Sequence, residues 1–173
     1  MAINKKICVI GAFGVGKTSL IRRYVLDQFS PDYQATLGVN IYKFSDQVEA
    51  PGGGEETINE IIWDIEGAQE GADLVDTYLR GAAGALVVGD VTREDAVDSM
   101  VQHATRFQGV QPGRPVVFAL NKMDLLASPE DAPDGGVLCE EFTGPLLHTS
   151  AAAGTAVPEL FRALGRRILE IGA

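Results

Sequence analysis

The chain has 173 residues, 46% of them apolar and 22% charged, an ordinary globular balance with enough length to bury a core without disulfides or a structural metal. Acidic residues outnumber basic ones 24 to 14, a formal net charge of -10, which argues against nucleic acid or an anionic membrane as the default partner. Cys8 and Cys139 lack metal-ligand spacing and read as reduced side chains, consistent with a cytoplasmic protein.

The start, "MAINKKICVIG", holds too short an apolar run for a signal peptide, and Met-Ala excludes myristoylation. "LEIGA" carries no prenylation box, and no run reaches the ~18 apolar residues of a membrane span, so no lipid anchor is expected.

In chain order, "KKICVIG" (5–11) is a short apolar, β-branched run and predicts a buried strand. "GKTSLIRRYVLDQF" (16–29) has apolar residues at helical spacing. Residues 37–50 and 57–63 predict an antiparallel hairpin around the turn "PGGGEE" (51–56). A strand (84–91), a helix (93–107) and a strand leading into a loop (114–124) follow. A polar loop (127–136), a short helix (135–142), a short strand (145–151) and an amphipathic helix (157–172) close the chain. Residues 71–83 receive no element. Strands alternating with helices imply an α/β fold: a mostly parallel central sheet with one antiparallel hairpin strand and helices on both faces. No linker or repeat interrupts residues 1–173, so one domain is expected.

"GAFGVGKT" (11–18), between a strand and a helix, matches G-x-x-x-x-G-K-[ST]. Such a loop turns backbone N–H groups around phosphate oxygens, Lys17 adds a positive charge, and the Thr18 hydroxyl can ligate Mg²⁺. This implies a nucleoside triphosphate in a P-loop fold but not which base. "NKMD" (121–124) follows another strand. An ionised Asp124 can accept hydrogen bonds from guanine N1–H and the 2-amino group, whereas adenine offers neither and would leave a buried carboxylate unpaired.

With these motifs the chain resembles a Ras-superfamily small GTPase, and most the Rab branch. "DQFSPDYQATLGV" (27–39), "WDIEGAQE" (63–70), "YLRGAAGALVVGDVT" (78–92) and "HTSAAAGTAVPELFRAL" (148–164) each resemble a Rab segment. The resemblance implies that residues Phe13, Gly14, Val15, Gly16, Lys17, Thr18 and Ser19 hold phosphates. It implies Mg²⁺ ligation by Thr18 and Thr36, with Asp64 holding the ion through water, and γ-phosphate sensing by Thr36 and the Gly67 N–H. Phe29 would pack on guanine, Asn121 and Asp124 would fix it, and Lys122 would lie along ring and sugar. Ser150, Ala151 and Ala152 would form the supporting loop, with the Ala151 N–H on the guanine oxygen. Trp63 and Tyr78 match two members of the family's aromatic triad for effectors, with Ile41 at the third position, although core packing suits both aromatics equally. Effectors and regulators would meet the switch regions. A small Roadblock-type partner is implied if the protein is prokaryotic, as its Ala/Gly content suggests, and a monomer is expected.

The departures matter as much. Arg80 follows Trp63 by 17 positions, as in the Rab pattern, so nothing is inserted between them. Ala68 therefore stands at the water-orienting glutamine, and Gln69 one step later. Phe13 places bulk where small residues are usual, and would crowd attacking water and any arginine finger, a device worth about 10³–10⁵ in rate. These changes predict slow intrinsic hydrolysis, with Lys17, Thr36, Gly67 and Gln69 as the catalytic set. The alternative is a GTP-loaded scaffold with negligible turnover. A P-loop kinase or ATPase is disfavoured by "NKMD" and Thr36. Arg162, Arg166 and Arg167 read as a solvated helix face, and His103 as a surface residue.

Overall fold

The computed structural model describes residues 2–32, 36, 38–65, 67 and 71–172. Six strands form one sheet in the order β2-β3-β1-β4-β5-β6. They are β1 Ile3–Gly11, β2 Val39–Glu49, β3 Glu55–Ile65, β4 Gly84–Asp90, β5 Val116–Asn121 and β6 Leu146–His148. Among these strands of the described residues, only the β2–β3 pair is antiparallel. The helices are α1 Lys17–Leu26, α2 Ala72–Leu79, α3 Ala96–Val110, α4 Gly136–Phe142 and α5 Val157–Gly172.

Period-two alternation sorts the strand side chains between two cores. Ile7, Val9, Leu86, Val88, Val117 and Ala119 face α1 and α5, where Leu20, Ile21, Leu160, Phe161 and Leu164 meet them. Cys8, Ile10, Val87, Phe118 and Leu120 face the other way, toward Leu79, Met100, Phe107 and Leu138. Strands clothed on both faces must be apolar on both, and β4 is buried at every position. This is the mixed sheet and two helical layers that the sequence predicts.

Several boundaries move for local reasons. α1 ends at Leu26 rather than residue 29, because Asp27 turns left-handed (φ 50°) and its N–H bonds back to Arg23 O at 3.1 Å. α3 begins at Ala96 rather than residue 93, because Asp90 holds Thr92 and Arg93 in a turn. The hairpin turn is shorter than "PGGGEE": Gly53 and Gly54 adopt positive φ, and Glu55 and Glu56 already belong to β3. A 3₁₀ turn, Pro129–Asp131, interrupts the predicted polar loop.

α2 was not foreseen. Its Val75, Tyr78 and Leu79 stand at helical spacing and pack on the lower core, a signal available in the sequence but confined to 8 residues.

The arginines of α5 are not merely solvated. Arg162 reaches Asp46 of β2 with two bonds, 2.8 and 3.2 Å, and Arg166 lies 3.6 Å from Glu49. His103 is half-buried with Nδ1 2.7 Å from Ser99 O, and burial pushes its pKa down. Trp63 also packs on the core, with Tyr78 at 6.2 Å and the Lys6 ammonium 3.7 Å over its ring, while Ile41 opposite it is 51% exposed. Cys8 is buried and free, and burial pushes its thiol up to about 12, so it is an inert core side chain. Among the described residues no helix is long and apolar enough to cross a membrane.

Candidate functional site

The strand order reverses at β1, and ligands of such sheets bind beyond the C-terminal strand ends at that point. A cleft of about 610 Å³ opens there. It is lined by Phe13, Gly14, Gly16, Lys17, Thr18 and Ser19 of the loop between β1 and α1 and its first helical turn. Phe29, Thr36 and Gly67 line it from the segments after α1 and β3, and Asn121, Lys122, Asp124, Ala151 and Ala152 from the end of β5 and the loops after β5 and β6. Val15, Asp64 and Ser150 stand behind this wall. Ala68 and Gln69 lie outside the described residues.

The glycine loop is shaped by close approach. Gly16 takes φ +101°, and a Cβ there would stand 2.3 Å from Asn121 Nδ2. Lys17 is buried, and its Nζ donates to Gly11 O and Ala12 O, both at 2.9 Å. That folds the ammonium back over the loop. A Cβ on Gly67 would meet Lys17 Nζ and Phe13 N, each at 2.6 Å, so only glycine fits against the loop. Phe13 itself is 46% exposed at the rim beside Gly67.

Three oxygen donors meet at one spot. Thr18 Oγ1 lies 2.7 Å from Thr36 Oγ1 and donates to Asp64 Oδ2 at 2.5 Å. Asp64 is fully buried, and its Oδ1 has no hydrogen-bond partner among the described residues. Burial pushes its carboxyl up, against the opposing pull of Thr18, Lys17 and Thr36. A buried carboxylate with an orphaned oxygen beside two hydroxyls is the hard-oxygen set that suits Mg²⁺, so the residues present fit that ion.

The base-side loops are braced by hydrogen bonds. Asn121 is 1% exposed, and its amide donates to Val15 O (3.0 Å) while its oxygen accepts from Thr149 Oγ1 (3.1 Å) and Ala151 N (3.3 Å). Its amide thus ties three loops together, and the Ala151 N–H foreseen for guanine points at Asn121. Asp124 sits in the 3₁₀ turn Met123–Leu125 and accepts from Ser150 Oγ at 2.6 Å. It is exposed rather than the buried carboxylate the sequence suggested. Lys122 has φ +69°, donates to Gly14 O at 2.8 Å and pairs with Asp90 Oδ2 at 2.8 Å.

Three participants were missed. Asp90 ends β4, and its bonds from Lys122 and Thr92 outweigh burial and hold its carboxyl below the usual range. Arg93 donates to Phe13 O at 2.7 Å. Arg23 clamps the loop after β6 through Ala151 O and Ala152 O, both at 2.8 Å. Only position, at a strand's C-terminal end, could have flagged Asp90; Arg23 looks like any helix-surface cation.

The Ras family model matches residues 6–170. The Ras-related protein RABF2b of Arabidopsis thaliana is 32% identical over 169 residues, 96% of this chain and 82% of its own length. Human Ras-related protein Rab-22A is 31% identical over 174 residues, 97% of this chain and 86% of its own. Ras-related protein Rab11C of Lotus japonicus is 32% identical, covering 96% of this chain and 76% of its own. These relatives are plant and human proteins, so the expectation of a prokaryotic member gains no support from them. With the Ras family model matching nearly the whole chain and these relatives above 30% identity, the chain belongs to the Ras family of small GTPases, among its Rab-related members.

Proposed function

We propose that the chain forms a single guanine-nucleotide-binding domain, a switch that holds GTP or GDP with Mg²⁺ and hydrolyses GTP slowly. The observation that carries this reading is the convergence of Lys17, the Thr18–Thr36–Asp64 oxygens and Asp124 on one cleft. The loop amides from Gly14 to Thr18 and the Lys17 ammonium bind the phosphates. Phe29 covers the base, Lys122 lies along it, and Asp124, oriented by Ser150, accepts from its N1–H and 2-amino group. Thr18, Thr36 and Asp64 hold Mg²⁺. The ion supplies charge neutralisation on the terminal phosphates when bound.

Thr36 and Gly67 meet the nucleotide at its γ-phosphate end. Loss of that phosphate releases both segments, the order–disorder change by which such switches address effectors and regulators. A Roadblock-type partner belongs to this reading only if the protein is prokaryotic.

Hydrolysis needs a group to orient water. Ala68 provides none, which leaves Gln69, a partner residue or the substrate itself. Lys17 and the loop amides stabilise the developing charge. Phe13, exposed at the rim beside Gly67, favours a second reading: a GTP-loaded scaffold with negligible turnover.

Single-turnover hydrolysis by wild type, Ala68→Gln and Gln69→Ala separates the readings. Slow turnover means a rate below the roughly 10⁻⁴ per second of an intrinsic Ras-type reaction. A wild-type rate below that, raised by Ala68→Gln, supports an intact site lacking its glutamine. Fast wild-type hydrolysis lost in Gln69→Ala contradicts impaired turnover. No measurable turnover in either wild type or Ala68→Gln favours the scaffold.

A further inference from the structure

Arg93 lies outside every motif identified in the sequence, yet it grips the phosphate loop from behind. Its Nη2 donates to Phe13 O at 2.7 Å, and its Nε lies 3.7 Å from Asp90 Oδ2. Lys122 repeats the arrangement one residue further along, with Nζ on Gly14 O at 2.8 Å and on the same Asp90 oxygen at 2.8 Å. The Asp90 side chain is 4% exposed, and its other oxygen accepts from Thr92 N (2.9 Å) and Thr92 Oγ1 (2.6 Å). One engaged carboxylate therefore aligns two cations on two consecutive carbonyls at the crest of the loop.

Peptide geometry gives this arrangement a consequence. Across a trans peptide the C=O of one residue and the N–H of the next point in opposite directions, and no peptide among the described residues is cis. The Phe13 carbonyl is held by Arg93, which is not among the residues lining the cleft, so the Gly14 N–H of the same peptide is turned the other way, toward the cleft. Lys122 comes from the base loop, so Asp90 also couples that loop to the phosphate loop.

We infer that Arg93, aligned by Asp90, is a positioning residue that presets the Gly14 amide for a nucleotide's phosphates and slows nucleotide release. The inference rests on the guanine-nucleotide reading of the cleft. Arg93 is not among the residues lining the cleft; it acts through the Phe13 peptide. Its charge is what matters, because a charge-assisted bond to a carbonyl is stronger than a neutral one.

The test is the dissociation rate of fluorescently labelled GDP from the full chain in Mg²⁺, for wild type, Arg93→Met and Arg93→Lys. Methionine keeps an unbranched apolar stem and drops the charge; lysine keeps a cation within reach of the carbonyl. Release is expected about five- to tenfold faster from Arg93→Met, with Arg93→Lys within about twofold of wild type. Tight GDP binding with equal rates in all three proteins overturns the inference and leaves the guanine-nucleotide reading standing. So does equal acceleration in both variants, which would mark a role in packing rather than charge. Failure of wild type to bind GDP would overturn the guanine-nucleotide reading and this inference with it.

Discussion

Gly67 sits where a single methyl group decides the outcome. Its backbone lies so close to the phosphate loop that an added Cβ would stand 2.6 Å from both Lys17 Nζ and Phe13 N. Gly67→Ala is therefore expected to keep residue 67 from approaching the γ-phosphate. GTP affinity should fall about tenfold or more while GDP affinity changes little, as read by competition with a labelled nucleotide. Equal losses for both nucleotides would contradict that role. Glu60 presents a different problem. It is 1% exposed on the α1/α5 side of β3, its Oε2 has no partner among the described residues, and it faces Tyr24, Asp46 and Arg162. Burial pushes its carboxyl from an ordinary 4.5 up to about 8. The folded chain thus holds a proton that the unfolded chain releases. The contribution to stability is full below pH 4.5 and is lost as pH rises to about 8, on the order of a few kcal/mol. Glu60→Gln keeps the size and polarity of the side chain and removes the titration. The variant should melt higher than wild type at pH 8.5 and alike at pH 4.5; an equal difference at both pH values would refute the assignment. The glycine loop and Asp124 were legible as residues because their spacing is a pattern. Glu60 and Asp90 were not, because nothing local tells a buried carboxylate from a surface one.

Elements were legible where the periodicity was long. The apolar runs of β1, β4 and β5 and the amphipathic face of α5 announce themselves, and each lies within a few residues of its predicted place. Their ends were less legible, since single backbone bonds decide them: the left-handed Asp27 stops α1, and Asp90 delays α3. α2 escaped notice because two turns of helix carry too little pattern. Among the links between elements, Arg162 fastens α5 to β2 through Asp46, but it is half exposed to water. Arg162→Ala is expected to cost only about 0.5–1 kcal/mol in urea unfolding, with nucleotide affinity unchanged. The β2–β3 turn should matter still less. Gly52, Gly53 and Gly54 are exposed and nothing lies within 4 Å of an added Cβ, so inserting two residues there should leave GDP release unaltered. A large change in release would mean that the turn communicates with the cleft.

At the scale of the whole molecule, two cores clamp one twisted sheet and leave its C-terminal strand ends to carry chemistry. Loops from β1, β3, β5 and β6 meet there although they are far apart in the chain. Asn121 alone joins three of them. That convergence was legible from the fold class, because parallel strands place their outgoing loops at one end. The bracing was not, since it depends on side chains such as Arg23 and Arg93 whose partners are distant in sequence. The central claim is that this cleft holds a guanine nucleotide, and equilibrium displacement of labelled GDP by unlabelled GTP, GDP and ATP in Mg²⁺ tests it most directly. The account predicts displacement by GTP and GDP at comparable concentrations, with ATP weaker by about 10⁴-fold or more. Displacement by ATP at concentrations similar to GTP would contradict it.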